Sequence, residues 1–286
     1  MDVTLALGGG GVKGYAHIGV LRALDAKGIK IRAIAGTSIG GLMGAIYAAG
    51  IQLEKAQERL KLLDQSKLYS RMPGDGPSLL GMGGVVETLQ DILGNRRFED
   101  LSIPLVMTAV DIESGQPVVI NQGPLIDAIL ATTAVPGIFP SRTWNGRNVV
   151  DGGILNPVPV TEARSLAPRL PVVAVVLSPA ISSWKGNQSP PGILASIPFL
   201  NHVYKLRLAQ SIRLFLRSID ISGCMLTDLR LQMEKPEVII RPIVNQIGLI
   251  DTVDIPEVIE LGEQAAEAAL TQLDRWSGAR TPVENR

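Results

Sequence analysis

Val3-Thr4-Leu5-Ala6-Leu7-Gly8-Gly9-Gly10-Gly11-Val12-Lys13-Gly14-Tyr15 passes from an apolar run through a glycine run into a helical pattern. Val3–Leu7 reads as a buried strand. Tyr15–Lys27 carries Ile18, Leu21 and Leu24 at helical spacing, and Gly28 stops it. The same passage then recurs. Ile31–Ala35 is a strand, Gly36-Thr37-Ser38-Ile39-Gly40 a turn, and Ile39–Ala49 a helix ended by Gly50. Two such units in succession predict parallel strands joined by helical crossovers.

Further along, helices are expected over Leu53–Leu63, Val85–Leu93, Leu125–Thr133, Thr161–Ser165 and Pro256–Trp276, with a mostly helical stretch over Gly192–Ile219. Strands are expected at Ile103–Val110, Val118–Asn121, Arg147–Val150, Val172–Leu177 and Val238–Pro242, the first two forming a hairpin across Glu113-Ser114-Gly115-Gln116. Arg71 to Gly84 is rich in Gly, Pro and Met and reads as a loop, a candidate flap. The fold class that results is α/β: a mostly parallel sheet sandwiched by helices in three layers, one domain over residues 1–276, with a loose tail at 277–286.

Composition narrows the function. The chain has 286 residues, 46% of them hydrophobic, and 27 basic against 27 acidic residues, so no bulk attraction to nucleic acid is expected. The single cysteine, Cys224, permits a reducing compartment, and the N-terminus has no basic region; a cytoplasmic protein without a signal peptide is expected. Ala33 to Ile51 lacks charge and repeats a GxxxG spacing at Gly36, Gly40 and Gly44. Its glycines, Thr37 and Ser38 make it a poor membrane span, and a buried strand–turn–helix accounts for it.

Gly36-Thr37-Ser38-Ile39-Gly40 has the Gly-x-Ser-x-Gly pattern that holds a serine nucleophile on a tight turn between strand and helix. Gly9-Gly10-Gly11-Val12-Lys13-Gly14 matches a dinucleotide-binding spacing, but the second strand ends without the acid that would hold a ribose. Glycine amides at a helix N-terminus also suit a developing oxyanion. Lys13 either tethers that loop and adds positive charge or is a solvated residue at a helix start. A third motif, Asp151-Gly152-Gly153, is by itself an ordinary turn. The histidines give it meaning, because His17 and His202 are the only two. His17 shares a helical face with Leu21 and Leu24 and reads as a packed residue, while His202 is far from the motifs. An aspartate acting directly on Ser38 is simpler than a triad. Burial beside Val149, Val150 and Ile154 would raise its pKa toward that of a useful base.

The three motifs in this order resemble the patatin-like phospholipase family, in its bacterial branch. Gly-Tyr-Ala-His-Ile-Gly-Val-Leu after the glycine loop, Ala134-Val135-Pro136-Gly137-Ile138-Phe139-Pro140, and Asp151-Gly152-Gly153-Ile154-Leu155-Asn156-Pro157-Val158-Pro159 agree with it. The resemblance implies the patatin-like fold and a catalytic Ser38–Asp151 dyad. It implies an oxyanion hole from the amides of Gly9, Gly10 and Gly11, with Lys13, Gly14, Gly36, Gly40, Gly152 and Gly153 as supporting motif positions. It implies hydrolysis of lipid esters, phospholipid or lysophospholipid, with no metal or other cofactor. Lys13 stands where plant members usually have Arg, and Gly153 where Ala is frequent. The alternatives are an α/β-hydrolase esterase, which needs a histidine after the acid, and a non-catalytic lipid-binding or regulatory protein that keeps the fold.

No Asp or Glu occurs from Ala163 to Ser218, whereas Arg164, Arg169, Lys185, Lys205, Arg207, Arg213 and Arg217 do. The basic, apolar stretch 193–219 suits peripheral contact with an anionic membrane at its inner face. An ordinary helix pair with its basic residues in water has the same pattern.

Overall fold

In a computed structural model of the chain, the structure describes residues 1–61, 68–184 and 202–278; residues 60, 61, 202–209, 212, 213, 216 and 271–278 are described by their backbone alone. The elements are β1 (Asp2–Leu7), α1 (Tyr15–Ala26), β2 (Lys30–Thr37), α2 (Ile39–Ala48), α3 (Leu53–Lys61), α4 (Gly83–Leu93), β3 (Leu105–Asp111) and β4 (Pro117–Ile120). Then follow α5 (Leu125–Thr132), β5 (Arg142–Trp144), β6 (Arg147–Asp151), α6 (Val160–Leu166), β7 (Val172–Val175), α7 (His202–Glu234), β8 (Val238–Ile240) and α8 (Ile255–Gly278). The strands form one sheet in the order β5-β6-β3-β2-β1-β7-β8, with β4 also against β3. From β3 to β8 all neighbours are parallel; β4, β5 and β6 are antiparallel additions at the other end.

Alternation along β1 shows why the sheet lies between two helix layers. Val3, Leu5 and Leu7 join the core built with α1, α2 and α8, while Ala6 faces the other core, with Ala35, Val106, Ala163 of α6 and Leu231 of α7. Helices α1 and α8 approach closely because a Cβ on Gly19 would run into the Ile259 carbonyl, and one on Gly262 into the Ala16 carbonyl.

One feature of β3 decides where the chemistry sits. β4 pairs with Met107–Val110, so it cannot share an edge with β2, which pairs with Leu105–Thr108, or with β6, which pairs with Ala109–Asp111. Hence β2 and β6 use the same edge of β3, running toward each other. Thr37 lies opposite Thr108 and Asp151 opposite Ala109. The two strands meet end to end, and the residues at their tips, Ser38 and Asp151, are brought together.

Several expectations need correction. β5 and its hairpin with β6 are not expected from the sequence, because three residues with no apolar alternation give no strand signal. The helix expected to end at Ile219 runs on to Glu234, because nothing between them breaks a helix except Gly223, which costs only about 1 kcal/mol. Of the stretch 193–219, residues 193–201 lie outside the described residues, as do 279–286 of the expected tail. The Arg71–Gly84 segment is a loop until α4 begins at Gly83, and it is tied down. Arg71 donates to the Ser78 and Gly76 carbonyls, Leu80 N–H to Ile138 O, and Asp75 pairs with Arg142.

Candidate active site

Ser38 stands between β2 and α2 with φ 55° and ψ −126°. This is a region that non-glycine residues rarely occupy, and holding one there costs of order 1–3 kcal/mol. The surroundings over-determine it. Gly40 has no room for a side chain, since a Cβ there would run into the Leu7 carbonyl. Ser38 N–H donates to Thr132 Oγ1 (2.8 Å), whose hydroxyl donates in turn to Thr108 O (2.6 Å). Thr37 Oγ1 donates to Asn156 O (2.8 Å) and lies 2.7 Å from Thr108 Oγ1, so the turn is bonded to β3, α5 and the chain after Asp151.

Ser38 Oγ donates to Asp151 Oδ2 at 2.5 Å. Both residues are buried, 7% and 6% exposed. The other carboxylate oxygen, Oδ1, accepts the Gly153 N–H at 2.7 Å, and the Asp151 N–H donates to Ala134 O at 3.0 Å. Gly152 sits so tightly that a Cβ would strike Thr108. The carboxylate is therefore fixed, with one oxygen aimed at the hydroxyl. Burial pushes its pKa from the ordinary 3.8 up to about 6; the bonds from Ser38 and Gly153 pull the other way and lose. A base of this kind is better matched to neutral pH than a solvated aspartate.

The glycine loop lies over the same spot. A Cβ on Gly9 would come within 3.2 Å of Ser38 Cβ, a tight approach that brings the loop backbone close against the serine. Gly11 has φ +59° and turns the chain into a short 3-10 segment, Gly11–Gly14, that leads directly into α1. Gly9 departs from expectation: its N–H donates to Pro157 O at 3.0 Å and is spent. Val12 N–H is likewise taken, by Leu249 O. Among the described residues, the N–H groups of Gly10 and Gly11 have no partner and head a helical N-terminus, where partial positive charge accumulates.

Lys13 is half-buried, and its charge acts on Asp220 and Cys224 of α7. Burial raises the Asp220 pKa and the Lys13 charge opposes this, so the lysine lies within electrostatic reach of α7. Gly14 packs under Ile39 of the next helix, which links the two glycine motifs. Gly36 lies against Gly41. His17 is fully buried, but it is more than packing: its Nε2 lies 2.8 Å from Gly8 O. The side chain of His202 lies outside the described residues. Sequence reasoning gives Thr108 and Thr132 no role, Thr132 standing only as an uncharged polar residue at the end of an apolar helix, and it quotes Asn156 within the Asp151 motif without assigning it one. Among the described residues no cluster of His, Cys, Asp and Glu has the makings of a metal site.

The family model described as "Patatin-like phospholipase" matches residues 5–164. An uncharacterized NTE family protein of Mycobacterium tuberculosis is 39% identical over 163 residues, 55% of this chain and 44% of that one. A second one from that organism is 28% identical over 280 residues, 94% of this chain and 46% of that one. Patatin-like phospholipase domain-containing protein 7 of Rattus norvegicus is 31% identical over 180 residues, 60% of this chain and 13% of that one. The chain thus spans less than half the length of these relatives. Among solved structures, VipD from Legionella pneumophila superposes with a TM-score of 0.56 at 13% identity, covering 96% of this chain and 66% of that one, a likeness of fold.

Proposed function

Since the chain belongs to the patatin-like phospholipase family, we propose that it hydrolyses carboxylic esters of lipids, phospholipid or lysophospholipid, through Ser38 and Asp151. The observation that carries this reading is the 2.5 Å bond from Ser38 Oγ to a buried carboxylate that is oriented by Gly153. Ser38 Oγ attacks the ester carbonyl carbon while Asp151 Oδ2 takes its proton. The carbonyl oxygen becomes an oxyanion, and the N–H groups of Gly10 and Gly11 stabilise it. One such donor is worth roughly 2.7–4 kcal/mol of barrier in a water-poor site. The alcohol or lysolipid leaves with the proton held by Asp151. Water then attacks the acyl-Ser38 ester as Asp151 takes its proton; the intermediate collapses, Asp151 returns the proton to Ser38 Oγ, and the fatty acid departs. No metal or other cofactor takes part in this scheme.

Contact with an anionic membrane through 193–219 is part of the proposal. Leu214, Phe215 and Ile219 of α7 are exposed, and Phe215 reaches Gly137 in the segment that carries the Asp151 bond partner Ala134. The proposed contact is peripheral; no helix among the described residues is long and apolar enough to cross a membrane.

The test is hydrolysis of a lysophospholipid and of a short p-nitrophenyl ester by the wild type and by Ser38→Ala. Turnover in the wild type alone is expected. Undiminished turnover in Ser38→Ala would overturn the mechanism, and an inactive wild type would favour a lipid-binding protein that keeps the fold.

A further inference from the structure

Gly8 directly follows β1, and its peptide group faces a problem of partners. Leu7 pairs with Gly36 on β2, but beyond that β2 ends in the Ser38 turn and offers the Gly8 carbonyl no strand N–H. On the other side Gly8 N–H still donates to Val175 O, in line with β7. The Gly8 carbonyl is taken instead by His17 Nε2, at 2.8 Å, from the first turn of α1. The next atom along belongs to the same peptide plane: Gly9 N–H, which donates to Pro157 O. Both ends of peptide 8–9 are therefore bonded, one to α1 and one to the chain that follows Asp151-Gly152-Gly153.

We propose that His17 is the positioning residue of the oxyanion loop, clamping peptide 8–9 so that the N–H groups of Gly10 and Gly11 point at the carbonyl attacked by Ser38. This rests on the reading of those two amides as the oxyanion donors. A run of glycines has wide conformational freedom, and a hole made from it works only if something outside the run fixes its orientation. His17 does this as a neutral ring of one tautomer. A carbonyl only accepts, so Nε2 carries the hydrogen and Nδ1 keeps its lone pair. Nδ1 is buried without a partner among the described residues, which a protonated ring would not tolerate. Burial lowers the pKa to about 4, against the smaller pull of the Gly8 bond. His17 touches no substrate; it acts through Gly8.

Two variants separate a clamp from mere packing. His17→Gln keeps an N–H donor at about the reach of Nε2, and His17→Leu keeps bulk and loses the donor. With the p-nitrophenyl ester, His17→Leu is expected to lose roughly 10–100-fold in kcat with KM unchanged, as for a small misplacement of catalytic groups. His17→Gln is expected to recover most of that loss. Independently of any variant's folding, nitrogen NMR of the wild type at neutral pH should show Nε2 protonated and Nδ1 bare. Wild-type kcat in folded His17→Leu, equal losses in both variants, or an Nδ1–H tautomer would each overturn the proposal. A wild type that hydrolyses no ester overturns the proposed activity instead, and leaves the tautomer to decide the clamp.

Discussion

Protonation of Asp151 offers the most quantitative test. Its pKa moves from 3.8 to about 6 because the carboxylate is buried. Each pH unit of displacement corresponds to 1.36 kcal/mol, so the ionised form costs the fold about 3 kcal/mol relative to the unfolded chain. Two consequences follow, with opposite signs. For catalysis, the base must be ionised: kcat/KM should climb with pH and level off above about 6, and at pH 5 it should be about a tenth of its plateau. For stability, the native state binds the proton more tightly than the unfolded state. Between about pH 4 and pH 6 the unfolded chain has released it and the native protein has not, so stability contributed by this group falls as pH rises through that window. Asp151→Asn has no such group. Relative to the wild type, that variant should gain about 2 kcal/mol more at pH 7.5 than at pH 4, where the unfolded aspartate is already partly ionised, in denaturant melts at both values. Comparing the difference at two pH values cancels the altered bonds to Ser38 and Gly153. A kcat/KM still at its plateau at pH 5, together with a stability difference that ignores pH, would refute the reasoning.

Other outcomes are expected. Ser38→Gly and Ser38→Ala both lose the hydroxyl, but only glycine suits φ 55°; Ser38→Gly should be the more stable by about 1–3 kcal/mol in denaturant melts, and equal stabilities would deny the strain. Thr132→Val removes the acceptor for Ser38 N–H and the donor to Thr108 O; a loss of about 1–3 kcal/mol of stability and a lower kcat are expected, measured by thermal melting and ester hydrolysis. Gly40→Ala drives a methyl into the Leu7 backbone and should cost about 3 kcal/mol or more, visible as lost expression or a lowered Tm; a variant as stable as wild type would contradict the turn geometry. Flotation with anionic liposomes at low salt should carry the protein upward, and absence of binding there would remove the membrane contact from the account.

The sequence was legible where local rules govern. Apolar runs closed by glycines marked β1 and β2 at their ends, and the turn that carries Ser38 was named by its own motif. It was not legible where distant strands decide. That Asp151 faces Ser38 follows from β2 and β6 sharing one edge of β3, a pairing of residues far apart in sequence that no periodicity encodes. The same holds for Gly9, whose amide looked as free as its neighbours' until Pro157 was placed beside it. His17 was read from the helical face it shares with Leu21, and its ring does pack there; its bond to Gly8 depends on how β1 meets α1 and leaves no mark in spacing. Thr132 reads as the unremarkable end of an apolar helix, and only the fold turns it toward the Ser38 amide.

The central claim is that Ser38 becomes acylated with Asp151 as its base. Quenching the wild type in acid during turnover of a lysophospholipid, then weighing its peptides by mass spectrometry, tests this directly. The account predicts a fatty-acyl mass on the peptide that contains Ser38, absent from Asp151→Asn treated alike. Steady release of fatty acid by a protein that never carries the acyl group on Ser38, and still turns over as Ser38→Ala, would contradict it.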